Sequence, residues 1–490
     1  MLFNSLEFIF IFLPIVVVLF FFFNRINLKL GKAFLLIASL FFYGYWQYTY
    51  VLLILASIFV NFFTGKFLIK NSNLNSSDTI RKLLLIFGIS FNLGILIYFK
   101  YFDFLIENLN SLSNFSIDLL DLALPLAISF FTFQQIAYIV DTYKGNSEDY
   151  DFISYSLFVT FFPQLIAGPI VHHRELLPQL NLEKNKILNY ENVALGLYIF
   201  SIGLFKKVII ADSFAVWANQ GFSSSEPLPF LHAWIASLSY TFQLYYDFSG
   251  YSDMAIGIGL LFNIRLPLNF NSPYKSIHIQ EFWQKWHITL SKFLTDYIYI
   301  PLGGNRKGLY RIYINIFLVF LISGIWHGSG WTFIIWGVCH GIASIIYRLW
   351  KKYSNYKLPK WFAWFITFQF VNFTWIIFRS NSINQAINLI LGMLGLNGIE
   401  LGLLDVYDTN VGLLSIVTLL ESLLDISLAG SIQILILVFF VLIATLTFKN
   451  TYQKSIEFTN NKKEGVTTFI ILSVSVLFLI RVTEFLYFNF

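Results

Sequence analysis

Apolar runs recur along the whole chain, from residues 6–23 near one end to 466–480 near the other, with short charged loops between them. A helix needs about 20 apolar residues to cross a hydrocarbon core about 30 Å thick, because it rises about 1.5 Å per residue. Within that core every backbone N–H and C=O must find a partner, which restricts spanning structures to helices and closed barrels. Runs this long favour helices. Hydrophobic residues make up 57% of the chain and charged residues only 12%, against roughly a quarter charged in soluble domains. The sequence therefore predicts an all-α polytopic membrane protein, a single membrane domain over 1–490. About eleven spans are expected, with shorter runs re-entrant or interfacial. A formal charge of +5, dispersed and without a basic patch interleaved with aromatics, argues against a nucleic-acid partner, while the apolar composition makes membrane lipid the surrounding partner. The single cysteine, Cys339, excludes an internal disulfide framework and a cysteine-rich metal site, and no other metal-ligand spacing stands out.

Loop charge orients much of the chain, since Lys and Arg collect on the cytoplasmic side. Arg25, Lys29 and Lys32 mark one inside loop, and Lys66, Lys70, Arg81 and Lys82 mark another. The N-terminus lacks the positive segment of a secretory signal and reads as a first span that is kept, with its start outside. No Lys or Arg occurs from Ser380 to Phe448, an exterior stretch by the same rule, and Lys449, Lys454, Lys462 and Lys463 bring the chain back inside. The last span then delivers the tail 481–490 to the exterior. Between 141 and 260 the signal is mixed, because an acidic loop falls where alternation wants a basic one and Lys206-Lys207 sits within an apolar run.

One histidine, His327, stands in Gly324-Ile-Trp-His-Gly-Ser-Gly-Trp, inside a long apolar region. An ionisable ring at membrane depth is costly, and by default marks a functional site. The preceding run, 312–325, has 14 residues and would cover about 21 Å of the roughly 30 Å core. It would stop short, with Gly324, Gly328 and Gly330 allowing a turn that leaves His327 below an outward-facing opening. An imidazole there can take a proton from an attacking hydroxyl, acting as a general base. The plainer reading is a core histidine bonded to a helix carbonyl.

Upstream, Gln280, Gln284, His287 and Ser291 share one face if 280–294 is a single helix. The segment 263–311 carries Arg265, Lys275, Lys285, Lys292, Arg306, Lys307 and Arg311 against Glu281 and Asp296, a basic surface on the cytoplasmic side. Ordinary positive-inside charge explains it equally well. As a functional surface it would receive a phosphate-bearing donor, with Lys285 and the guanidinium of Arg306 at the phosphate and the backbone amides of Gly303-Gly304-Asn305 beside them. His287 would then lie on the donor side of a path leading to His327.

Other residues carry less. His172 and His173 are adjacent, so both rings cannot face one helix side. His340 and Cys339 read as helix packing, and Asp247 and Asp253 as hydrogen-bonding acids near a helix break. The tail ends Phe485-Leu-Tyr-Phe-Asn-Phe, an aromatic interface belt, although the Tyr487 hydroxyl on an exterior tail could also fold back and receive a group.

Six stretches together resemble the membrane-bound O-acyltransferase family in its bacterial alginate and peptidoglycan O-acetylation branch. They begin at Ile128 (Ile-Ser-Phe-Phe-Thr-Phe-Gln-Gln), Phe162 (Phe-Pro-Gln-Leu-Ile-Ala-Gly-Pro), Tyr246 (Tyr-Asp-Phe-Ser-Gly-Tyr-Ser-Asp), Phe282 (Phe-Trp-Gln-Lys-Trp-His), Tyr299 (Tyr-Ile-Pro-Leu-Gly-Gly-Asn-Arg) and Gly324 (Gly-Ile-Trp-His-Gly). The resemblance implies that His327 is the catalytic histidine and His287 the second motif residue. It also implies acetyl-CoA as a cytoplasmic acyl donor, no metal, a bacterial inner-membrane location and a periplasmic SGNH-type transferase as partner. The tail is similar to the Phe-x-Tyr-x-x-Phe ending of partner peptides in D-alanylation systems, which implies Tyr487 as a transient acyl carrier. D-alanyl transfer from a carrier protein is the rival within this chemistry. A transporter or flippase is the rival outside it, although no inverted repeat is visible.

Overall fold

The computed structural model describes residues 1–73, 78–113, 115–166, 168–399, 414, 430–479 and 486. Among these the regular structure is helical, with no strand. Eight of the described helices are long and apolar enough to cross a membrane, fewer than the eleven or so expected from the runs alone. Their outer faces carry exposed apolar side chains such as Phe439, Phe440 and Ile443, as lipid-facing helices require. Their inner faces carry polar side chains that pair, as Asn61 and Asn92 do at 2.6 Å.

The helices group into two compact units that interleave in sequence. One comprises Met1–Phe200, Ser252–Pro267 and Asn460–Gly465, the other Ser201–Tyr251, Leu268–Thr459 and Val466–Phe490. In the first unit, Ile128–Tyr143 packs on Thr49–Asn73 and Asp78–Leu96. It presents Asp141 to the start of the short helix His173–Leu180. His173 is fully buried there. Its Nε2 lies 3.0 Å from Asp141 Oδ2, its Nδ1 lies 3.1 Å from the Tyr150 hydroxyl, and Tyr138 and Phe158 wall the ring. His172 also reaches Asp141, at 3.5 Å. The adjacency argument fails because His172 is not helical. It is the extended residue preceding the helix, with φ −81° and ψ 141°, so its ring is not held to a helical spacing. The ligand atoms of Asp141, His172 and His173 lie within 4.8 Å of one another. Arg174 occupies the same carboxylate oxygen at 3.0 Å, so the group reads as an ion-paired network whose cation is already a guanidinium.

The second unit is built on a helical hairpin. Gly308–His327 and Trp331–Tyr353 run antiparallel, joined by only Gly328, Ser329 and Gly330. Their backbones touch. A Cβ on Gly324 would meet the Phe333 carbonyl oxygen at 2.4 Å, and one on Gly337 would meet that of Phe320 at 2.5 Å. Small residues at a helix crossing permit this approach. The first helix has 20 residues, not the 14 of the apolar run, since Gly308-Leu-Tyr-Arg is already helical. It covers about 30 Å, a full core thickness. His327 is therefore buried by packing at the end of a complete helix, and not by the helix stopping short.

A second expectation also changes. Phe230–Leu261 is one unbroken helix of 32 residues, with no break at Asp247. Gly250 lets it lie against the Gly203 backbone, where a Cβ would meet the carbonyl oxygen at 2.8 Å. Asp247 finds its partner across that contact, in Lys207.

Candidate active site

Asn269, in the segment before the helix Ile279–Lys285, organises His287. That helix ends at Trp286, and a second begins at Ile288. His287 sits between them in the left-handed region, φ 43° and ψ 55°, a strained conformation for a residue with a Cβ. Gln280, Gln284, His287 and Ser291 thus do not line one helix face. The break turns His287 inward, where it is fully buried.

Its Nδ1 lies 3.0 Å from Asn269 Oδ1, which also receives the Thr289 hydroxyl at 2.9 Å and the Thr289 backbone N–H at 3.4 Å. An atom that accepts from a backbone amide is the oxygen of the side-chain amide, so His287 Nδ1 is the protonated nitrogen and Nε2 holds the lone pair. Burial pushes the ring's pKa down to about 3, which keeps it neutral at ordinary pH.

The two motif histidines, forty positions apart in sequence, come together around Trp326. Its ring centroid lies 6.2 Å from that of His287 and 4.9 Å from that of His327. His327 is 3% exposed, with Trp336 and Phe378 edge-on at 5.2 and 5.3 Å. Behind this wall His340 has a structural part. Trp283 Nε1 donates to its Nδ1 at 3.2 Å, so Nε2 carries the proton and donates to the Thr374 hydroxyl at 3.1 Å. The aromatic shell packs around both rings and buries them. In such a setting a neutral imidazole is an effective proton acceptor.

A cavity of about 530 Å³ lies one side chain away from His327. Phe378, which packs on the histidine, lines it, as do Ser329 and Gly330 from the hairpin connection. Lys207, Asp212, Gln243, Asp247 and Arg379 also line it. Lys207 lies 2.8 Å from Asp212 and 2.6 Å from Asp247, with all three side chains buried. A π-helical turn, Lys206–Ala211, brings the first two level, because the Asp212 amide bonds the Lys207 carbonyl five residues back. That turn accounts for a lysine in an apolar run. The sequence pattern marks Lys207 and Asp247 without pairing them, and it gives no sign of Asp212 or Asn269.

Lys285 is paired with Glu281 at 2.7 Å. The amides of Gly303, Gly304 and Arg306 already donate to the carbonyls of Ile300, Tyr299 and Gly303, so the loop offers no open nest from these groups. The Arg306 side chain is exposed. Tyr487 lies outside the described residues. Cys339 is half-buried, with a free thiol.

The membrane-bound O-acyltransferase family model matches residues 142–386, which include both histidines. The chain is also 49% identical over 431 residues to the peptidoglycan O-acetyltransferase of Helicobacter pylori, covering 82% of this chain and 81% of that protein. The chain belongs to the membrane-bound O-acyltransferase family. It is a multi-pass membrane O-acyltransferase. A Pseudomonas putida protein named "Probable alginate O-acetylase AlgI" is 39% identical over 391 residues, 79% of each chain. The teichoic acid D-alanyltransferase of Bacillus subtilis is 29% identical over 270 residues, 52% of this chain and 68% of that one.

Proposed function

We propose that this acyltransferase moves an acetyl group from acetyl-CoA on the cytoplasmic side to a hydroxyl acceptor on the exterior side, for O-acetylation of peptidoglycan or an alginate-type polysaccharide. The observation that carries the reading is the buried cluster in which Trp326 joins His287 to His327. His327 takes the proton of the acceptor hydroxyl. The freed oxygen pair forms the new ester bond to the thioester carbonyl carbon, the C–S bond breaks, and the leaving thiolate takes the proton back from His327. His287 orients the donor. With its lone pair on Nε2, it accepts a hydrogen bond from an amide N–H such as the pantetheine arm carries.

The acceptor in this reading is first Tyr487, as a transient carrier, and then a periplasmic SGNH-type transferase that passes acetyl to the polysaccharide. The chain sits in a bacterial inner membrane with both termini outside, and no metal takes part. Acetyl is preferred over D-alanyl because the peptidoglycan O-acetyltransferase relative is 49% identical and the D-alanyltransferase relative 29%.

The test is intact-protein mass spectrometry after incubation with isotopically labelled acetyl-CoA, with His327→Ala and Tyr487→Phe alongside. Label on the C-terminal peptide that both substitutions remove supports the relay. CoA release that depends on His327 without such label keeps the transferase and discards the relay. Absence of turnover with acetyl-CoA, even with the periplasmic transferase added, overturns the donor assignment in favour of D-alanyl transfer or transport.

A further inference from the structure

Directly after Arg379 the chain changes from apolar to amide- and hydroxyl-bearing, in Ser380-Asn-Ser-Ile-Asn-Gln-Ala-Ile-Asn, and Ser223-Ser-Ser-Glu has the same character. The second unit folds these two segments against each other. Gln385, near the start of the helix Ile383–Met393, accepts the Asn381 backbone N–H at 2.8 Å and donates to the Phe222 carbonyl. Further along the same helix, Gly392 lies so close to the Leu228 backbone that a Cβ would meet the carbonyl oxygen at 2.4 Å. The two segments line an open groove of about 380 Å³, to which Ser225, Glu226, Asn381, Asn384 and Asn388 contribute. Asn381 also lines the cavity one side chain away from His327, so groove and cavity meet at this residue. We propose that the groove binds an uncharged saccharide, a glycan of the N-acetylated amino-sugar type, and presents the acceptor polymer at the mouth of that cavity.

Asn384 and Asn388 stand four residues apart on one helix, so their side chains share a face, with Cβ atoms about 5–6 Å apart. Both are exposed, and among the described residues neither carboxamide has a partner. Each brings two N–H donors and a carbonyl acceptor, which complement sugar hydroxyls and acetamido groups, since these too donate and accept. The Ser225 hydroxyl and the Glu226 carboxylate add acceptors from the 223–228 connection. Charge then narrows the class. No Lys, Arg or His lines the groove, and Glu226 is its one charged residue. The guanidinium next to it in sequence, Arg379, donates to Asn219 at 3.2 Å and lies over the Phe222 ring. A uronate or phosphate polymer would set its negative charges against Glu226 with no counter-charge from the groove, an arrangement that rejects a wrong partner. A neutral chain meets no such penalty. The geometry of the groove stands by itself, whereas the bound polymer's part as acetyl acceptor rests on the O-acetylation reading, of which it favours the peptidoglycan type.

The test is a saturation-transfer-difference NMR titration of the full-length protein, in a detergent without a sugar head group. No acyl donor is present, so a failure of acetyl transfer has no bearing on it. The probes are a tetramer of N-acetylglucosamine and a tetramer of mannuronate. The neutral tetramer is expected to bind at least about tenfold more tightly than the acidic one. Asn384→Ala combined with Asn388→Ala, both at exposed positions, is expected to weaken the neutral tetramer about tenfold, the scale of one or two lost hydrogen bonds. Glu226→Gln is expected to bring the acidic tetramer to within about twofold of the neutral one. No binding of the neutral tetramer, native affinity in the double variant, or equal affinity for both tetramers in the native protein overturns the site. Neutral binding that the double variant weakens, in a protein that releases no CoA from acetyl-CoA, upholds the site and removes only its link to acetyl transfer.

Discussion

Two buried histidine regions, one in each compact unit, use the same side chain to opposite ends. His173 has a carboxylate at one ring nitrogen and a tyrosine hydroxyl at the other, with an arginine on the same carboxylate. Both nitrogens are committed to the fold. His287 has an amide oxygen at Nδ1, where His173 has a tyrosine hydroxyl, and His327 is bounded by the faces and edges of Trp326, Trp336 and Phe378. A carboxylate and a hydroxyl hold both ring nitrogens of His173, whereas the amide oxygen at Nδ1 of His287 leaves Nε2 as its basic nitrogen. Burial alone therefore does not separate a catalytic histidine from a structural one. The partner does.

The contrast is broken most directly at the two rings. His327→Ala is expected to lower acetyl transfer by about a hundred- to ten-thousand-fold, the usual contribution of a positioned general base, with the fold intact. His173→Ala is expected to leave turnover per folded molecule within about twofold. Steady-state CoA release, normalised to folded protein, checks both. Equal losses at the two positions would end the distinction.

A second comparison concerns the partners. Asp141→Asn removes the carboxylate shared by His173 and Arg174 and is expected to cost about 3 kcal/mol of stability, at the low end for a buried pair because Arg174 is half exposed. Asn269→Leu is expected to cost about 1–3 kcal/mol, by leaving the Thr289 hydroxyl and His287 Nδ1 without their acceptor. Here activity should also fall, by about tenfold, because the His287 tautomer is no longer set. Denaturant unfolding in detergent gives the stabilities. If Asn269→Leu loses stability and keeps full turnover, His287 has no orienting part.

The last comparison is a pH dependence. The pKa of His287 is lowered by burial to about 3 in the folded protein and is about 6.5 when unfolded. Below 6.5 the unfolded chain binds a proton that the folded chain does not, so this stabilisation is complete above 6.5 and is lost as pH falls towards 3. His287→Asn, which tolerates the left-handed backbone, should lose less stability than the native protein between pH 6.5 and 4. Parallel curves would show that the ring is not neutral by burial.

Much of this is legible in the residues. His327 stands out because glycine and tryptophan surround an ionisable ring in an apolar run, and the hairpin follows from its glycines. What escapes such reading is set by contacts distant in sequence. No local pattern marks Asn269, which acts across eighteen positions on His287. Nor does helical spacing announce a left-handed residue at 287, which turns a supposed continuous face into two short helices. The uninterrupted Phe230–Leu261 has the same cause, since the carboxylate that looks like a helix breaker is satisfied by a lysine forty positions earlier. The basic surface is visible, but not the fact that Lys285 already has Glu281.

The contact of Gly324 with Gly337 also has a mechanical consequence. With the two backbones touching and only three residues joining them, neither helix of the hairpin can slide along the other without a collision of main-chain atoms. The hairpin must move as a single strut. Any breathing that admits a substrate to His327 then falls to the opposite wall, Lys360–Arg379, which meets the histidine through the Phe378 ring, a side chain that can swing while the strut stands still.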